Sequence, residues 1–157
     1  MNLAALLNPA LVIPELAATT KRGVLEELAG LMVVRLAEVN GLSASREQIV
    51  EVLLERERLG STGIGQGVAL PHGKLPRLPG TYLALGRSPT GVDFDSEDGE
   101  PARLFFLLLS PEGSAQHLLA LAALARLVRE AALRERLLAA ASAQDILEEL
   151  SSALREL

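Results

Sequence analysis

The chain has 157 residues, a net charge of −5, 49% hydrophobic residues and only 3% aromatic ones. Such a length suits one domain that buries about two-thirds of its unfolded surface, and the hydrophobic content excludes a disordered chain. Without cysteine there is no disulfide framework and no thiolate metal site, and the acidic balance with few aromatics argues against nucleic-acid binding, which needs phosphate neutralisation and stacking.

No Lys or Arg precedes Lys21, so the apolar start lacks the charged region of a signal peptide. Proline and charge interrupt every apolar run before it reaches the roughly 18 residues a membrane span needs. The expectation is a soluble, cytoplasmic single domain over residues 1–157.

Pro9 and Pro14 break the first segment into short pieces, with Leu11-Val12-Ile13 as an extended stub, because a residue before proline avoids the α region. Thr19 or Thr20 caps a helix from Lys21 to Val39, whose Leu25, Leu28, Ala29, Met32, Val33 and Leu36 recur at helical spacing. Asn40-Gly41 ends it. Ser45 and Gln48 have the spacing of a capping box and open a second helix. On it Ile49, Val52, Leu53 and Arg56 share a face. Its closing run Glu55-Arg56-Glu57-Arg58 reads as a solvated helix end for Glu55, Glu57 and Arg58, with Arg56 set apart as a candidate.

The stretch Gly60 to Lys74, GSTGIGQGVALPHGK, holds five glycines and one of the two histidines in the chain. Glycine admits positive φ and close approach of the backbone to a ligand, and exposed N–H groups in such a loop form an anion-binding concavity. With His72 beside it, the segment suits chemistry on a phosphoryl group. The same composition also suits a plain glycine-rich turn in which His72 is an ordinary loop residue, and composition alone leaves both readings open. Within the stretch, Val68-Ala69-Leu70 predicts a short strand ending at Pro71, with His72 at its end.

After a turn at Pro76 and Pro79-Gly80, Thr81 to Arg87 predicts a strand and Ser88 to Gly99 a polar loop. The acidic residues Asp93, Asp95, Glu97 and Asp98 lack the spacing of a twelve-residue calcium loop. Arg103 to Ser110, RLFFLLLS, is a continuous apolar run of the kind covered on both faces. Ser114 is placed to cap a helix that is apolar all round and so expected to be largely buried, with His117 in its first turn. Helices over Ala132 to Ala140 and Ala143 to Arg155, the latter capped by Ser142, complete the chain. Strands interleaved with helices predict an α/β domain with helices on both faces of a small sheet.

Several chemistries fail on missing residues. Gly60 and Gly65 have P-loop spacing but are followed by Gln66-Gly67, without the lysine and hydroxyl an NTPase needs. Gly63, Gly65 and Gly67 fall one residue short of a dinucleotide fingerprint and precede a strand. Two histidines without an H-x-x-x-H pair do not make a zinc centre, and no metal is expected. A nucleophilic histidine fits better. Imidazole is neutral near cellular pH, and phosphoryl transfer asks mainly for positioning and charge stabilisation. His72, His117, Arg56 and the glycine loop supply each part, although spacing alone favours His117 as a first-turn residue packed on the sheet end.

The run from Arg56 to Lys74, RERLGSTGIGQGVALPHGK, closely resembles the phosphorylation-site region of enzyme IIA of the fructose/mannitol class in the bacterial phosphoenolpyruvate:sugar phosphotransferase system. Its Gly-Ser-Thr-Gly-Ile-Gly and Pro-His-Gly-Lys forms look most like the nitrogen-regulatory branch, and the downstream His-Leu-x-x-Leu at His117 matches as well. Leu70 departs from the Ile common at its position. The resemblance implies a small mixed sheet flanked by helices. It also implies that His72 accepts a phosphoryl group on Nε2, that His117 assists and that Arg56 pairs with the phosphoryl oxygens. The loop residues Ser61, Thr62, Gly63, Gly65, Gly67 and Gly73 would surround the group. No cofactor is implied. The donor would be phosphorylated HPr or a paralogue. The acceptor would be the cysteine or histidine of a IIB protein, or, in a regulatory role, the partner would be a kinase or ion transporter. Neither a IIB or IIC domain nor a transport span is expected.

Overall fold

The computed structural model describes residues 2–156. Two 3-10 turns, Leu3–Leu6 and Pro9–Leu11, lead into strand β1 (Val12–Ile13). Helices α1 (Lys21–Asn40) and α2 (Arg46–Arg58) follow, and the glycine-rich stretch carries three short strands, β2 (Gly63–Gly65), β3 (Val68–Ala69) and β4 (His72–Lys74). The long strands β5 (Tyr82–Val92) and β6 (Ala102–Ser110) come next, and then helices α3 (Ala115–Leu127), α4 (Ala131–Ala139) and α5 (Ala143–Arg155). This is the expected α/β fold, with a mixed six-stranded sheet between two helical layers.

Local chemistry accounts for most boundaries. Thr20 accepts the Gly23 amide at 3.1 Å, Ser45 that of Gln48 at 3.0 Å and Ser142 that of Asp145 at 3.1 Å, each satisfying an orphan donor of a first helical turn. Gly41 ends α1 with φ of 62°, the left-handed conformation that favours glycine. Ser114 is the exception. It stands at the expected cap of α3 but makes no side-chain capping bond.

β6 is the spine of the sheet. It pairs antiparallel with β5 on one side and parallel with both β3 and β4 on the other, while β2 extends β3 and β1 extends β5. Alternate residues of β6 serve opposite faces. Phe105, Leu107 and Leu109 pack with Leu25, Leu28 and Met32 of α1 and Ile49 and Leu53 of α2. Leu104, Phe106 and Leu108 pack with Leu124 of α3, Leu137 of α4 and Ile146 and Leu150 of α5.

Three expectations need correction. The chain does not leave the sheet at Pro71. Pro71 has no N–H to give, but its carbonyl accepts Leu108 N at 2.9 Å, and β4 resumes the parallel pairing with His72 beside Leu108. β5 runs on to Val92 through the segment expected as loop, its register shifting between Arg87 and Val92, where Gly91 has φ of 86° and Ser88 accepts the Gly91 amide. Lastly, α3 is not largely buried. Ala120, Leu124 and Leu127 face the sheet, but Leu118 and Leu119 are 72% and 54% exposed.

Candidate functional site

Three elements bring His72, Arg56 and His117 together. His72 opens β4. The next residue, Gly73, turns to the opposite face, where a β-carbon would lie 2.5 Å from Val52 Cγ1 of α2, so β4 lies against that helix. Arg56, in the last turn of α2, donates Nε–H to His72 Nε2 at 3.3 Å and another N–H to the Gly60 carbonyl at 2.8 Å. His117, in the first turn of α3, sets its ring 5.4 Å from that of His72, tilted by 55°.

The bonds at His72 define its tautomer. Nδ1 lies 2.8 Å from the Leu70 carbonyl, which only accepts, so Nδ1 carries the proton. Nε2 is left with its lone pair and receives the Arg56 donor. Burial holds the His72 pKa below the ordinary histidine value; the Arg56 charge adds to this, while the Leu70 bond and the Glu57 charge oppose it. Burial, with repulsion from His72 when it is protonated and from Lys74 behind it, pushes His117 down to about 4. Both rings are therefore neutral near pH 7. His117 is 4% exposed, and its Nδ1 meets Ser110 Oγ at 2.8 Å, which in turn meets Thr81 Oγ1 at 3.1 Å. The site is thus a neutral, oriented nucleophile beside a fixed cation, open to a cleft of about 320 Å³ lined by Arg56, Ile64, Leu70, Leu121 and Ala125.

The loop residues are arranged differently from the expectation. Ser61 and Thr62 border the cleft. Yet Ser61 donates its hydroxyl to the Phe94 carbonyl at 2.5 Å, and the Thr62 hydroxyl goes to Glu57. The amides of Thr62, Gly63 and Gln66 bond to Glu57, Ser61 and Asp98. The amides of Thr62 and Gly63, two residues expected to surround the phosphoryl group, are therefore bonded within the protein. A β-carbon at Gly63 would meet Ser96 and one at Gly65 would meet Asp98, while Gly67 shapes the turn between β2 and β3 with φ of 77°. The acidic loop stays at the surface: Asp95 pairs with Lys21 at 3.1 Å, and Asp98 accepts the Gln66 and Glu100 amides, which hold its pKa low. Among the described residues, no group of three His, Asp or Glu side chains could hold a metal ion.

Glu57 is the residue that sequence reasoning missed. It was read as solvated, but its side chain is 5% exposed and bonds Lys21 at 2.8 Å and the Thr62 amide at 3.1 Å. The signal was its spacing. Ile49, Leu53 and Glu57 fall at four-residue intervals, and the first two are buried.

The family model described as "Phosphoenolpyruvate-dependent sugar phosphotransferase system, EIIA 2" matches residues 5–153. The chain belongs to this EIIA type 2 family. It is 43% identical over 147 residues to a nitrogen regulatory protein of Bradyrhizobium diazoefficiens, covering 93% of this chain and 92% of that one. It is also 38% identical to the fructose-specific EIIA component of the phosphotransferase system of Haloferax volcanii, over 81% of this chain and 80% of that one. The crystal structure of the nitrogen regulatory protein IIA-Ntr of Neisseria meningitidis superposes with a TM-score of 0.85 at 33% identity, over 96% of this chain and 99% of that one. The EIIA fold thus extends over nearly the whole chain, which is a homologue of nitrogen-regulatory IIA phosphocarriers. Among the described residues, no helix is long and apolar enough to cross a membrane.

Proposed function

We propose that His72 accepts a phosphoryl group from the phosphohistidine of an HPr-like donor. The observation that carries this reading is the unprotonated Nε2 of His72 at the cleft, with Nδ1–H tied to Leu70 and Arg56 at hand. The Nε2 lone pair attacks phosphorus. A nitrogen–phosphorus bond forms as the donor's breaks, and the released electron pair returns to the donor's imidazole. Arg56 moves from the lone pair onto the phosphoryl oxygens, which a guanidinium fork fits well. His117, neutral, adds a donor without adding charge. The protein works in the cytoplasm, where phosphoenolpyruvate feeds the donor.

A second role at the same residue is regulatory: phosphorylation of His72 switches docking on a kinase or ion transporter, with no onward transfer. The identity to a nitrogen regulatory protein favours it. Incubation with phosphoenolpyruvate, enzyme I and HPr should give an acid-labile phosphate absent from His72→Ala; label persisting in that variant would overturn the assignment. Rapid passage of the phosphoryl group to a IIB cysteine or histidine would favour the carrier role. Failure with IIB proteins, alongside phosphorylation-dependent binding of a transporter or kinase, would favour the switch.

A further inference from the structure

The carboxylate of Glu57 is almost wholly buried, and burying a charge is costly unless donors surround it. The donors are Lys21 Nζ at 2.8 Å, the Thr62 amide at 3.1 Å and the Thr62 hydroxyl. Lys21 is itself fixed by Asp95 at 3.1 Å and lies 4.8 Å over the Phe94 ring. From Thr62 the connection continues. The Thr62 carbonyl accepts Leu70 N at 2.9 Å, and the Leu70 carbonyl accepts Nδ1–H of His72 at 2.8 Å. A continuous hydrogen-bonded path therefore runs from Glu57 to the ring nitrogen opposite the nucleophile. Arg56, the preceding residue of the same helical turn, holds the other nitrogen directly.

We propose that Glu57 is a positioning residue for His72, acting through Thr62 and Leu70 to keep the proton on Nδ1 and the lone pair on Nε2. The inference rests on the reading of His72 as the phosphoryl acceptor. Two consecutive residues of α2 thereby govern both ring nitrogens, one by contact and one through two backbone segments. A free histidine side chain favours the opposite tautomer, with the proton on Nε2, which has no lone pair there to attack phosphorus and meets the Arg56 donor head-on. With glutamine in its place, one acceptor oxygen replaces two, and the Thr62 amide, the Thr62 hydroxyl and Lys21 cannot all keep an acceptor. The loop shifts to satisfy them, and the Leu70 carbonyl shifts with it.

The test uses the full-length protein with ¹⁵N-labelled histidine, comparing ring ¹H–¹⁵N correlations at pH 8 with the rate of phosphoryl transfer from phosphorylated HPr. Wild type should show the Nδ1–H form at His72. Glu57→Gln and Thr62→Val should populate the Nε2–H form and slow the transfer step by about tenfold at little change in KM, as loss of orientation does. Thr62→Ser should restore both, and Glu55→Gln, on the exposed side of the same helix, should change neither. A folded Glu57→Gln with the wild-type tautomer overturns the proposal, as does a slowed rate with no change of tautomer. If Glu57→Gln does not fold, Thr62→Val decides on the same two readouts. Wild type that accepts no phosphoryl group defeats the reading of His72 instead, and the tautomer spectra still decide the role of Glu57.

Discussion

His72 and His117 are neutral at pH 7 mainly because both are withdrawn from water, yet they differ in what surrounds them. His72 opens to the cleft and keeps a cation within reach, whereas His117 is closed in behind it with Ser110 and Thr81. The depressed His117 value has a consequence for stability. Its folded pKa of about 4 lies below the ordinary 6.5, so the folded state binds fewer protons than the unfolded one. The stabilisation is fully present above the ordinary value and is lost as pH falls toward the folded value. Calorimetry from pH 7 to pH 4 should therefore show a steeper loss of Tm in wild type than in His117→Asn, which keeps a polar partner for Ser110 but does not titrate. Equal slopes would show that His117 is not held neutral by the fold.

At the scale of elements, the end of α2 organises the site. Its inner face packs on the sheet through Ile49 and Leu53, and its last turn delivers Arg56 to His72 and Glu57 to Thr62. The close approach of β4 to this helix depends on Gly73. An alanine there meets Val52 Cγ1 at 2.5 Å, and such overpacking costs about 1–3 kcal/mol. Gly73→Ala should lower stability by that amount, and Val52→Ala in the same chain should recover part of it. A double-mutant cycle by urea unfolding measures the coupling, and strictly additive losses would mean that Gly73 is not kept small by Val52. Elements with a clear local signal were legible: caps at Thr20, Ser45 and Ser142, the left-handed Gly41 and the apolar run of β6 all lie where the sequence places them. β4 was not legible, because His-Gly-Lys has no apolar pattern and becomes a strand only by pairing with β6.

At the scale of the whole molecule, exposed apolar side chains adjoin the cleft on α3 and β2. Leu118 and Leu119 precede the lining residues Leu121 and Ala122 on α3, and Ile64 borders the cleft itself. Exposed leucines in such a cluster suit a docking partner better than solvent, and under the proposed function that partner is the phosphorylated donor. Leu118→Glu with Leu119→Glu should raise KM for the donor about tenfold or more, the loss expected for central contacts. The transfer step at saturation and the melting temperature should stay near wild type. A change in the transfer step alone would assign these leucines to the site itself.

The sequence by itself determined the α/β class and most helix boundaries, because caps and apolar periodicity are local, and it singled out His72, while Arg56 and His117 joined it only through the family resemblance. Tertiary structure decided the rest. Whether a polar group serves a ligand or the scaffold depends on which partner reaches it first, and those partners come from distant parts of the chain. Thr62 and Ser61 looked like donors for an anion, but Glu57 and Phe94 claim them. Glu57 looked solvated until the glycine segment folded over it. The glycine stretch is held both by Glu57 of the helix beside it and by the segment carrying Phe94 and Asp98, contacts that only the folded chain brings together.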